Sequence, residues 1–154
     1  MKHNDRDIST LKHVIHYCNE INEAIKKHEL TLEKITEDTV YKNALAMSIM
    51  QIGELASVLS ESFRTTHNYM PWNEIKRMRD KAAHHYGEFD VNTLWETVTE
   101  DIEPLKLYCM SCVEELEAEE EHFYSEKNQK RLLRAIADHK DGRNFNNHEL
   151  IEDD

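Results

Sequence analysis

The sequence predicts an all-α fold: an antiparallel bundle of four main helices with a short C-terminal helical appendage. Three observations carry that expectation. The 154 residues include only three Gly and two Pro, too few for the many turns of a β-sandwich or barrel. Apolar residues recur at spacings of three and four over long stretches. Hydrophobic residues at 39% and charged residues at 32% suit solvated helix faces around a modest core. This length fits one domain that buries roughly two-thirds of its unfolded surface.

Ile8, Leu11, Val14, Ile15, Cys18, Ile21 and Ile25 draw one apolar stripe along a first helix from about Asp7 to His28. Glu29 to Asp38 reads as a connection with Leu32 and Ile35 turned inward. A second helix is expected from Thr39, as its N-cap, to about Phe63. Its apolar set is Val40, Ala44, Met47, Ile49, Met50, Ile52, Leu55, Val58 and Leu59. That set is too wide for one solvent-facing helix, so two neighbours are expected. Gly53 costs helix stability. Either another backbone comes close there, or it is a tolerated surface glycine.

Arg64 to Met70 reads as a polar loop. Pro71 fits the first position of a third helix. Trp72, Ile75, Met78 and Ala82 form its buried stripe, and it ends near His85–Gly87. A fourth helix opens after Asp90, a good N-cap, carries apolar positions from Val91 to Leu116, and is expected to kink at Pro104. Glu114 to Glu121 is an acidic run of the kind found on a solvated helix end. Beyond it, Leu132, Leu133 and Ile136 suggest a short amphipathic helix among Lys and Arg, before a flexible end. Residues 1–124 are thus expected to form the helical domain and 125–154 a short helix and tail.

The net charge of −12 disfavours general nucleic-acid binding, and DNA is not an expected ligand. The charge is uneven, however. Residues 91–124 hold ten acidic residues against Lys106 alone, whereas Lys76, Arg77, Arg79 and Lys81 stand close together against Asp80. No apolar run reaches the roughly 18 residues of a membrane span. The polar N-terminus lacks a signal-peptide stretch, so a cytoplasmic location is expected. Three cysteines, an odd number, do not make a disulfide scaffold. Cys109 and Cys112 have the gap of a redox or zinc pair, but no second pair exists. Both fall on the apolar stripe of the fourth helix, which favours core packing. The ten histidines are scattered without a His-Glu-x-x-His arrangement. Neither a metal site nor a cofactor is expected.

The segment from Trp72 to Tyr86, WNEIKRMRDKAAHHY, is where chemistry would sit. Arg holds a phosphate with a bidentate fork and stabilises developing charge. His exchanges protons near neutral pH. On an ideal helix Arg79 and Tyr86 share a face, but His84 lies about 140° from Arg79. The two meet only if the helix end unwinds or a second chain contributes. The plainer reading, a basic helix end whose histidines cap carbonyls, stands beside the chemical one.

The stretch from Pro71 to Leu105, PWNEIKRMRDKAAHHYGEFDVNTLWETVTEDIEPL, resembles the HepT-like ribonuclease toxins of the HEPN superfamily. Arg79, His84 and Tyr86 match that family's signature of Arg, four residues, His, one residue, Tyr, and Leu94-Trp95 falls where its Trp-bearing helix begins. A second block, Gln51-Ile-Gly-Glu-Leu-Ala56, resembles the family's second-helix motif and gives Gly53 and Glu54 a reason. The resemblance covers about residues 8–118. Asp80 stands where many relatives have Asn, and Ala82-Ala83 replaces bulkier aliphatics.

The resemblance implies a metal-independent RNA endonuclease, the toxin of a type VII-like pair with an MNT-type nucleotidyltransferase antitoxin. Arg79 and His84 would be catalytic, Tyr86 the site of AMP attachment, and Lys76, Asp80, Lys81 and His85 supporting or substrate-binding. It also implies a homodimer with two motifs facing one cleft, and Trp72, Met78 and Trp95 are candidates for packing near its axis. The alternative is a non-catalytic nucleotide- or substrate-binding subunit of a nucleotidyltransferase complex. There Arg79 binds a phosphate without chemistry and His84 is structural.

Overall fold

The computed structural model describes residues 2–84 and 90–140. Those residues form seven α-helices and one π-helical turn, with no strand among them. The helices are α1 (Lys2–Lys27), α2 (Leu32–Glu37), α3 (Thr39–Val58), α4 (Glu61–Thr66), α5 (Trp72–His84), α6 (Val91–Glu96) and α7 (Ile102–Lys140). The π turn, Thr97–Asp101, joins α6 to α7. The expected all-α class is the class observed. By compactness the chain divides into residues 1–117, which hold the bundle, and residues 118–154, in which α7 runs on.

The first helix ends as its stripe requires. The Leu30 amide donates back to the Ile25 carbonyl at 2.9 Å, and Glu29 takes the left-handed φ of 48° that closes such a helix end. The expected connection then carries a helix of its own. The Thr31 side chain accepts from the Lys34 amide at 3.2 Å and starts α2, which drives Ile35 fully into the core. Asp38, not Thr39, caps α3, accepting from the Val40 amide at 2.9 Å.

The second helix is shorter than the periodicity suggests. Leu59 and Ser60 leave helical geometry, with ψ of 139° and 151°. Ser60 caps a separate α4 by accepting from the Phe63 amide at 3.1 Å. The buried Asp7 carboxylate of α1 takes the Ser60 amide at 2.8 Å and also its hydroxyl. A buried carboxylate needs such donors, and meeting them forces the break. Arg64 to Thr66, the first three residues of the polar loop expected from Arg64 to Met70, are therefore the end of α4.

The buried face of α3 is Leu45, Ala46, Ile49, Ile52, Gly53 and Ala56. Val40, Met47 and Val58, counted into the apolar set above, are exposed. The helix meets more than the two neighbours expected: α1, α2, α5 and α6 all pack on it. Pro71 sits one residue ahead of α5 and accepts from the Ile75 amide at 3.1 Å. Trp72 is 4% exposed, donates from Nε1 to the His67 carbonyl at 2.8 Å and packs on Phe63 and Tyr108. It is a core residue of the bundle, not a surface anchor. Met78 and Trp95 are partly buried against the same core.

Asp90 caps α6, accepting from the Asn92 and Thr93 amides. The Thr93 hydroxyl and these amides hold its carboxyl below the usual carboxylate range. A kink is expected at Pro104; the irregularity observed is the π turn Thr97–Asp101 just upstream, and α7 runs through Pro104 itself. Proline has no N–H to offer the carbonyl four residues back and crowds it, so the helix opens by one residue just upstream. The acidic run is not a helix end: α7 continues unbroken to Lys140, and Leu132, Leu133 and Ile136 lie exposed on that same helix.

Candidate functional site

The site is built where α3 crosses α5. A Cβ placed on Gly53 would stand 2.4 Å from the Cβ of Arg79, 3.1 Å from the Ile75 carbonyl and 3.3 Å from the Arg79 Cα. No larger residue fits there without moving a helix, because the atoms in the way belong to the α5 backbone or are fixed to it. Gly53 is therefore the close-approach glycine. The surface-glycine alternative falls, since Gly53 is buried.

That contact sets Glu54, the next residue, beside the Arg79 side chain. Arg79 Nε donates to Glu54 Oε1 at 2.8 Å, and Asp80 Oδ1 lies 3.5 Å from the same nitrogen. The Arg79 side chain is about one-third exposed. Both carboxylate contacts are to Nε, and in an arginine the two terminal nitrogens carry the fork that recognises phosphate. Asp80 thus does reach Arg79, but the carboxylate that holds Arg79 most closely is Glu54.

The remaining candidates distribute as follows. Arg77 is held by Glu74 at 2.6 Å on the surface. Lys76 is exposed and lines an open polar cleft with Arg64, Thr65, Asn68 and Asn73. Lys81 and His84 are described by backbone only, and the helix persists through His84. The unwinding that would swing His84 beside Arg79 therefore does not occur before that residue. His85, Tyr86 and the stop at Gly87 lie outside the described residues.

The cysteine pair joins the core. Cys18, Cys109 and Cys112 are all buried. Burial pushes the Cys18 thiol up to about 12, Cys109 well above the ordinary thiol range, and Cys112 upward as well. No group of three metal-ligating side chains occurs among the described residues. All three thiols should resist a water-soluble disulfide reagent at pH 8 in the folded protein and react in denaturant. Rapid titration of Cys109 or Cys112 before unfolding would mean a reactive pair.

Residues 14–112 match the family model described as "Ribonuclease HepT-like". The chain belongs to the HepT-like ribonuclease family. The matched span contains both Gly53-Glu54 and Arg79 through Tyr86. A Thermococcus cleftensis protein named "Probable ribonuclease HepT" is 38% identical over 95 residues, 58% of this chain and 86% of that protein. A Caldanaerobacter subterraneus subsp. tengcongensis protein named as an RNase candidate is 33% identical over 96 residues, 62% of this chain and 84% of its own length. A Methanocaldococcus jannaschii protein, also named as an RNase candidate, is 27% identical over 118 residues, 76% of this chain and 96% of that one. No solved structure matches. This HepT-like protein is accordingly a ribonuclease of the HEPN type, and RNA is its substrate class. No helix among the described residues is long and apolar enough to cross a membrane.

Proposed function

We propose that the chain is an RNA endonuclease in which Arg79 and His84 carry the chemistry and Tyr86 the control. The observation that best supports this reading is the Gly53 contact, which brings α3 against Arg79 so that its Nε pairs with Glu54 at 2.8 Å. In the reaction the ribose 2′-oxygen attacks the adjacent phosphorus, His84 handles the proton, and the 5′-oxygen leaves. Arg79 stabilises the charge that builds on the phosphoryl oxygens. The step needs no metal. Because α5 stays helical through His84, positions 79 and 84 of one chain lie about 140° apart around the helix. We therefore place each active site between two copies, with Arg79 from one and His84 from the other. Lys76, Lys81 and His85 would add cationic contacts along the RNA, and Asp80 would help to orient Arg79.

Tyr86 is seven residues from Arg79, which on a continued helix is the same face and roughly 10 Å along. A nucleotidyltransferase partner, the antitoxin of the pair, would transfer AMP from ATP to the Tyr86 hydroxyl and release pyrophosphate. Each added phosphate competes with RNA for Arg79. Purified protein should cleave RNA equally with and without EDTA. Tyr86→Phe should keep that activity but lose both the AMP mass gain and the inhibition by nucleotidyltransferase and ATP. No cleavage by the wild type would favour the non-catalytic binding subunit. Unchanged silencing of Tyr86→Phe would move the modification elsewhere.

A further inference from the structure

Residues 123–134 of α7 lie outside the span that matches the family, and their charge runs against the rest of the chain. Lys127, Lys130, Arg131 and Arg134 fall there against Glu126 alone, in a protein of net charge −12. At 100° per residue the four cations occupy an arc of about 100° on the helix. Phe123 lies within the same arc and Tyr124 just beside it. Glu126 falls outside the arc, and Asp138 lies one turn past its C-terminal end. Every residue from Phe123 to Ala137 is exposed, and none of the four cations is ion-paired with a described residue.

We propose that this face of α7 is a substrate-binding arm that takes single-stranded RNA, the cations contacting successive phosphates and Phe123 and Tyr124 stacking on bases. Charge complementarity chooses the occupant. A stripe made for another protein's core would carry apolar residues along this arc, and it carries Lys and Arg instead. Cations interleaved with aromatics on one exposed face are what a flexible polyanion with stackable bases requires. A membrane-surface helix would set its aromatics with its aliphatics. Here Phe123 shares the basic arc, while Leu132 and Ile136 lie on the opposite side. The arm also meets a difficulty set by composition: a ribonuclease with ten acidic residues in 91–124 repels its own substrate over much of its surface. An arc of four cations supplies local attraction that the bulk charge does not.

The inference rests on the ribonuclease reading for the identity of the polyanion, so binding and cleavage are measured separately. The probe is a fluorescently labelled single-stranded RNA, titrated by anisotropy against full-length His84→Ala protein. The comparison adds Lys127→Gln, Lys130→Gln, Arg131→Gln and Arg134→Gln together. Gln keeps helix propensity, so circular dichroism should be unchanged. The fourfold variant should bind about tenfold or more weakly at 50 mM salt, and its salt slope should fall by about 3, near 0.7 for each lost single-strand phosphate contact. With His84 intact, the same four changes should raise KM more than they lower kcat. Equal RNA affinity and salt slope overturn the arm, whether or not the protein cleaves. Loss of binding to phosphatidylserine vesicles with RNA binding intact also overturns it and assigns the face to a membrane. RNA binding that depends on the four cations in a wild type that never cleaves upholds the arm while the catalytic reading fails.

Discussion

Arg79→Ala and His84→Ala are each expected to lower the rate of RNA cleavage by about 10²–10⁴-fold with the helical spectrum unchanged. Arg79→Lys should recover little, because a single ammonium does not reproduce the two-pronged contact with phosphate. Removing the guanidinium leaves Glu54 unpaired, but that carboxylate is half exposed, so the stability cost should stay below about 1 kcal/mol. The decisive form of the experiment mixes the two inactive variants. If each site takes Arg79 from one copy and His84 from the other, subunit exchange makes mixed dimers with one intact and one doubly deficient site. Half the dimers are mixed and half their sites are whole, so about a quarter of wild-type activity should return. No recovery after demonstrated exchange would place both residues in one chain, and the shared site would be abandoned.

Gly53→Ala is expected to destabilise the protein although alanine is the better helix former. Helix propensity alone would make the substitution stabilising by about 1 kcal/mol. Against it stands a Cβ at 2.4 Å from the Arg79 Cβ, an overlap that no rotamer relieves. Pushing α3 off α5 costs about 1–3 kcal/mol more than that gain, a fall of several degrees in Tm for a chain of this size. Cleavage should fall as well, because the same movement carries Glu54 away from Arg79 Nε. Gly53→Val, with a branched Cβ, should be worse on both counts. A Gly53→Ala protein that is more stable and fully active would show that the close crossing has no functional weight.

The helical class, the stripe of α1, the Asp90 cap and the placement of Cys109 and Cys112 in the core were all legible in the chain. Each depends on spacing within a dozen residues or on the chemistry of one side chain. The errors share a different origin. The break at Leu59–Ser60 depends on Asp7, more than fifty residues away, whose buried carboxylate demands the Ser60 donors. The helix at Leu32–Glu37 was hidden because six residues are too short for a period to declare itself. Val40 and Met47 look apolar enough to be buried, yet the register set by Leu45, Ile49, Ile52 and Ala56 turns them outward. The length of α7 was missed because a run of Glu followed by Lys and Arg reads as a boundary, while every one of those residues also favours helix.

The candidate site divides in the same way. Sequence by itself determined that Arg79, His84 and Tyr86 follow one another at fixed intervals in one basic segment, and that Gly53-Glu54 belongs to a second block. Spacing along a chain is a one-dimensional property and needs no fold to be read. Only the tertiary structure decided that these two blocks touch, 25 residues apart in number, and that the glycine is what lets them. It also decided which of two carboxylates holds the arginine: Glu54 at 2.8 Å rather than its neighbour Asp80 at 3.5 Å. The reason is geometric. A helix fixes the direction of each side chain, but the partner it meets depends on how closely two helices can cross, and that distance is set by the absence of a Cβ on Gly53.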